Sequence, residues 1–155
     1  MIKSNVKGKR KRKPKTDKQK WVARLDTLAS EYVRKRAIQR AGGCERCETE
    51  KFDTTREDGS IFPAWMLLQW AHYRGKNKHS VRWDPSDAAG LCGGCHRFLD
   101  EVDPKAKVDF FLELLGQEEF DRLNQRAEFI THNKATDYRA WELFLLQQIK
   151  ELEGG

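Results

Sequence analysis

The spacing of apolar positions divides the chain into segments. After a polar opening, Trp21, Leu25, Leu28, Tyr32 and Val33 recur at helical intervals, and the pattern continues through Ala37 to Gln39. Gly42-Gly43 breaks it and delivers the chain to Cys44. Lys51 to Ser60 is polar, contains Asp58-Gly59, and reads as a loop. Pro63 then introduces Trp65 to His72, apolar enough for a buried strand, with a short helix as the other reading of its first half. Val81-Arg82-Trp83 predicts a short extended piece ended by the turn signal Asp84-Pro85. Ala88 to Leu91 predicts a second strand running into Cys92, and Cys95 to Glu101 the start of a helix.

The last third predicts only helices. Asp103-Pro104 is a cap followed by proline at the first helical position, and Val108, Phe111, Leu112 and Leu115 share one face up to Gly116. Gln117 to Phe129 carries Phe120, Leu123 and Ala127. Thr136 or Asp137 would cap a final helix with the stripe Tyr138, Trp141, Leu145, Ile149 and Leu152, a packing face or a seat for a partner helix. Short strands among several helices make the fold class α+β. No internal repeat is present.

Composition changes this picture in one respect. Of 155 residues 38% are apolar and 35% charged, enough for one compact domain with a tail. No apolar run reaches the roughly 20 residues that span a bilayer, and the first 20 residues lack the apolar stretch of an export signal. The expectation is a cytoplasmic protein without a membrane partner. The net charge of +6 is unevenly placed. Residues 1–20 hold ten Lys and Arg, Arg10 and Arg12 among them, against the single acid Asp17; the other 135 residues carry 20 basic and 23 acidic side chains. A basic arm, expected to be disordered, therefore precedes a mildly acidic body. Such an arm suits a polyanion, with DNA the expected partner, or serves as a solubilising tail. The predicted divisions are this arm (1–20), a body (21–135) and a C-terminal helix (136–155).

The cysteines carry the most specific signal. Cys44/Cys47 and Cys92/Cys95 form two Cys-x-x-Cys pairs, which supply the four thiolates of a closed structural zinc site. Disulfides, redox chemistry and unligated thiols are the other readings, and a reducing compartment disfavours the first.

Between and after these pairs, Trp70 to Asp100 contains His72 at the end of the first predicted strand and His96 directly after Cys95. Leu91 to His96 reads Leu-Cys-x-x-Cys-His. His72 precedes Asp87 by 15 positions, Asp87 precedes His96 by nine, and His96 precedes Asp100 by four. In these features the chain resembles the HNH, or ββα-metal, endonucleases. Cys-Glu-Arg-Cys (44–47), Ala-His-Tyr (71–73), Arg-Trp-Asp-Pro (82–85) and the 114–123 stretch are similar to phage recombination proteins of the NinG type. The likeness covers roughly residues 21–128.

The resemblance implies a small zinc-stapled ββα-metal core flanked by several helices, cleaving or nicking DNA with Mg²⁺ or Mn²⁺. It implies His72 as general base and His96 as a ligand of the catalytic ion, with Asp100, one helical turn on, as a second. Arg74 and Arg82, with Lys76 and Lys78 in the same basic loop, are the expected DNA contacts. It also implies a phage setting, with recombination or genome-packaging proteins as partners. Two positions depart from the pattern. Ala71 stands where the family often has a metal ligand, and Asp87 where it has asparagine, so Asp87 is expected to supply the missing carboxylate to the ion. A zinc-bound DNA-binding module without catalysis, and an adaptor acting through the Tyr138/Trp141/Leu145 stripe, are the alternatives.

Overall fold

The computed structural model describes residues 11–154. Residues 11–16 are exposed and belong to no helix or strand, and α1 spans Asp17–Ala41. The helix starts four residues before the predicted body because Thr16 and Gln19 form a reciprocal capping box: the Thr16 hydroxyl accepts from the Gln19 N–H, and the Gln19 carboxamide from the Thr16 N–H. Gly42, with φ of 68°, ends it in the left-handed conformation that a glycine adopts without strain.

Two small antiparallel sheets follow. The first pairs β1 (Thr54–Thr55) with β2 (Ile61–Phe62) inside the segment predicted to be loop and its edge. The second pairs β3 (Gln69–His72) with β4 (Ala88–Leu91), joining Gln69 to Leu91 and His72 to Ala88. The strand predicted from Trp65 begins later, since Ala64–Leu67 is a 3₁₀ turn that leaves Met66 and Leu67 exposed. Val81–Trp83 is also turn rather than strand, closed by Val81 N–H to the Lys78 carbonyl and Asp84 N–H to the Val81 carbonyl. After β4 come α2 (Gly93–Arg97), a π-helical turn (Phe98–Val102), α3 (Pro104–Leu115), α4 (Gln117–Ala127) and α5 (Ala135–Gly154). The mixture of helices and small sheets is α+β. Among the described residues no helix is long and apolar enough to cross a membrane.

The β3–β4 hairpin separates two cores because side chains alternate across a strand. Trp70, His72, Ala88 and Gly90 share one face; Gln69, Ala71, Ala89 and Leu91 share the other. The first face meets a core of Leu25, Leu28, Tyr32 and Val33 from α1, Trp83, and Tyr138, Leu145 and Ile149 from α5. The second meets Cys44, Cys95, Leu99 and Phe111. The stripe on α5 is thus packed on α1 within the chain, as the first of its two readings has it. Tyr32 donates to Gln148 across this pair of helices, and Arg24 bonds Glu142 at 3.3 Å.

Gly90 is the point of closest approach. A Cβ there would lie 2.5 Å from Ala37 Cβ and 3.3 Å from the Val33 carbonyl oxygen. Gly90→Ala is therefore expected to destabilise the fold by about 1–3 kcal/mol through overpacking. Thermal denaturation of the variant checks this, and an unchanged midpoint would contradict the packing of the hairpin on α1.

Candidate functional site

The Gly42 turn brings α1 directly into the first knuckle, where Gly43 is forced by space: a Cβ would lie 2.0 Å from the Thr49 carbonyl oxygen. Cys44 accepts from the Glu48 N–H, and Glu48 takes a φ of 58° to complete the turn. The second knuckle is the first turn of α2, in which the Cys92 sulfur accepts from the Cys95 N–H at 3.4 Å. Glu45 joins the two, its N–H donating to the Gly90 carbonyl and its carboxylate accepting from the Gly90 N–H at 2.7 Å. All four Sγ atoms lie within 4.8 Å of one another, and Cys47 Sγ stands 3.8 Å from Cys92 Sγ, well beyond a disulfide bond.

The thiol environments are unequal. Burial pushes Cys95 up to about 12, whereas the Thr49 hydroxyl and backbone bring Cys47 down to about 6. Arg46 lies 3.5 Å from Cys95 Sγ and over the Phe98 ring, placing a cation against the cluster. Four convergent sulfurs fit a tetrahedral structural zinc, whose charge would hold every thiol ionised. Among the described residues this is the only group of three or more His, Cys, Asp or Glu side chains spaced to hold a metal ion.

His72 ends β3 and is 8% exposed. Its Nε2 lies 3.2 Å from the Arg82 carbonyl oxygen, and its ring packs on Trp70 with centroids 4.0 Å apart. A carbonyl only accepts, so Nε2 carries the proton and Nδ1 the free lone pair. Burial, aided by the Lys76 and Arg82 cations, lowers the imidazole to about 4, so it is neutral at physiological pH.

Asp87 lies inside the fold. It is wholly buried in the turn before β4, its Oδ1 accepting from the Arg74 N–H at 2.8 Å while its carbonyl accepts from the Tyr73 N–H. It ties together the two ends of the 74–86 loop. It forms no ligand group with His96 and Asp100. Arg36, itself buried, supports the same turn by donating to the carbonyls of Pro85 and Ala88. Burial raises the Asp87 carboxyl to about 7, and its Oδ2 has no hydrogen-bond partner.

His96 projects from α2 at the opposite face of the hairpin from His72. Its Nδ1 lies 2.7 Å from Gln69 Oε1 and its Nε2 3.0 Å from Asp100 Oδ2, while Lys107 holds the other Asp100 oxygen at 2.7 Å. Gln69, His96 and Asp100 border a cleft of about 310 Å³ with Gly93, Arg97 and Glu101. The two histidines share no hydrogen-bond partner. Ala71, the position that resemblance would make a ligand, is buried with Leu99 and Phe111.

The expected arginine contacts are engaged within the chain. Arg82 makes a bidentate pair with Asp26, at 2.9 and 2.7 Å, and donates to the Lys76 carbonyl. Arg74 bonds Asn124 and Glu128. Both guanidinium groups thereby brace the 74–86 loop from within the chain. Lys76 is exposed and lies over the Trp70 ring, and Lys78 pairs with Glu128 at 3.6 Å. Arg12 is exposed; Arg10 lies outside the described residues. Gln69, Asp26, Glu45, Arg46 and Arg36 were missed in the sequence. Their types are ordinary, and only the register of the hairpin reveals what they touch.

No protein-family model matches the chain, and neither a curated protein nor a solved structure does. The HNH resemblance therefore rests on the sequence motifs quoted above.

Two expectations concern stability. Chelating the metal should unfold the hairpin region, because structural zinc contributes apparent free energies of about 10–16 kcal/mol in small zinc domains. Loss of near-ultraviolet circular dichroism on treatment with a strong chelator, and its return with added zinc, checks this; an indifferent spectrum would contradict the clamp. The second concerns pH. The folded Asp87 carboxyl titrates above its ordinary 3.8, so the stability it contributes is present below that value and is lost as pH rises through about 7. Asp87→Asn removes this loss, so the variant should gain on the parent by about 3 kcal/mol between pH 4 and 7. Parallel urea melts measure the difference, and a constant one would contradict the burial of a carboxyl there.

Proposed function

We propose that the chain is a metal-dependent DNA endonuclease of the HNH type, with His72 as its general base. The observation that carries this reading is the Arg82 carbonyl at His72 Nε2, which leaves the neutral imidazole with its free lone pair on Nδ1, the form a general base requires. The hairpin-and-helix arrangement hung on a four-cysteine cluster, at the motif spacing of that family, supports it further.

His96 and Asp100 would hold the catalytic Mg²⁺ or Mn²⁺. They are two donors 3.0 Å apart at an open cleft, and such ions keep much of their shell for water and substrate phosphate. When bound, the ion would relieve charge on the scissile phosphate. Gln69 orients the His96 ring, and the zinc cluster sets the position of α2 against β3. The basic arm adds sequence-independent, salt-sensitive attraction to DNA. The phage setting, with recombination or packaging partners in a host cytoplasm, follows from the resemblance.

A second reading, a zinc-bound DNA-binding module without catalysis, is favoured by buried Ala71, by a candidate ion site of only two protein ligands, and by the placement of His72 and His96 on opposite faces of the hairpin. A nicking assay on supercoiled plasmid with and without Mn²⁺ separates the two. The parent should nick only with the ion, and His72→Ala should lose about 10²–10⁴-fold in rate while keeping DNA affinity. No nicking by the parent selects the binding module, and equal rates in the variant overturn His72 as base.

A further inference from the structure

A cleft far in sequence from His72 lies between the start of α1 and the start of α5. It encloses about 550 Å³ and is lined by Lys18, Lys20, Trp21, Arg24, Asn133 and Tyr138, with Asp17 and Ala135 at its ends. Trp21 is partly exposed and stacks on buried Tyr138, with ring centroids 5.9 Å apart and planes inclined by 18°. Lys20 and Arg24, four residues apart, follow one edge of α1 beside it over about 6 Å.

The charges of this cleft are open to solvent, in contrast to Arg74 and Arg82. Lys18, Lys20 and Arg24 are exposed. Lys20 makes only a loose 3.8 Å pair with Asp17, and the Arg24 side chain is half exposed although its Nε bonds Glu142. Immediately before α1, Lys11, Arg12, Lys13 and Lys15 are exposed as well. The feature is therefore a cationic track that ends against an aromatic wall, with the Asn133 amide as a donor and acceptor.

From this juxtaposition we propose that the α1–α5 cleft binds a single nucleic-acid strand, stacking one base on Trp21 and pairing its phosphates with Lys18, Lys20 and Arg24. Single strands are held in this way, by a positive groove that follows the backbone and an aromatic ring on which an unpaired base lies. A base inside a duplex has no free face to offer, so the cleft distinguishes an unwound or branched strand from a regular helix. The inference rests on the reading that DNA is the substrate, and it narrows that substrate to one with a single-stranded part.

The full-length zinc-loaded protein is titrated with single-stranded oligo(dT), with a duplex of equal length, and with phosphatidylserine vesicles. Subtracting the Trp21→Phe variant isolates the Trp21 emission from that of the other four tryptophans. Oligo(dT) should quench Trp21, the duplex should not, and Lys18→Gln/Lys20→Gln should weaken the oligo(dT) midpoint about tenfold at constant thermal stability. Trp21 emission that ignores oligo(dT), or responds equally to the duplex, overturns the proposal, as does quenching by vesicles alone. Plasmid nicking is scored on the same preparations. Nicking without a Trp21 response defeats the cleft and leaves the nuclease reading intact; a Trp21 response without nicking does the reverse.

Discussion

Four sulfurs within 4.8 Å of one another fix the relation between the end of α1 and the strand-to-helix junction at Cys92. Two-stranded hairpins are marginal in water on their own, and a helix as short as α2 has little stability of its own. A zinc held by these sulfurs would remove the freedom that otherwise separates them. Glu45 reinforces it from within by bonding both polar groups of the Gly90 peptide unit. Every element of the candidate site is attached to this joint: β3 by pairing with β4, His96 by following Cys95, and Gln69 by reaching His96.

Given that joint, the alternation of the strand decides what each side chain meets. His72 turns towards α1, where burial and the Arg82 carbonyl keep it neutral with a defined tautomer. One position earlier, Ala71 turns towards α2 and α3 and is filled in with apolar neighbours. Asp87 is drawn inside to close the 74–86 loop, and the arginines of that loop close it from outside through Asp26, Asn124 and Glu128. A loop secured at so many points presents His72 on a rigid support.

Much of the helical framework was legible in the chain. Asp103-Pro104, Gly116 and the Leu25/Leu28/Tyr32 spacing are local signals that act within one turn, and the cysteine spacing names its own chemistry. The hairpin was legible in outline, but its first half was not: Trp65 to Leu67 is as apolar as a buried strand, yet Pro63 starts a 3₁₀ turn there. The site was least legible. That Arg82 would be taken by Asp26, 56 positions away, is a long-range pairing that no local pattern encodes. The burial of Asp87 likewise depends on Arg36 and on the Arg74 amide, both contributed from other parts of the fold.

The account depends first on the nature of the four-cysteine cluster, and X-ray absorption at the zinc edge of the purified protein tests it directly. One zinc per chain with four sulfur neighbours at about 2.3 Å is the result it predicts. A substoichiometric metal, or a shell containing nitrogen or oxygen ligands, would contradict the clamp from which the hairpin, His72 and His96 take their positions.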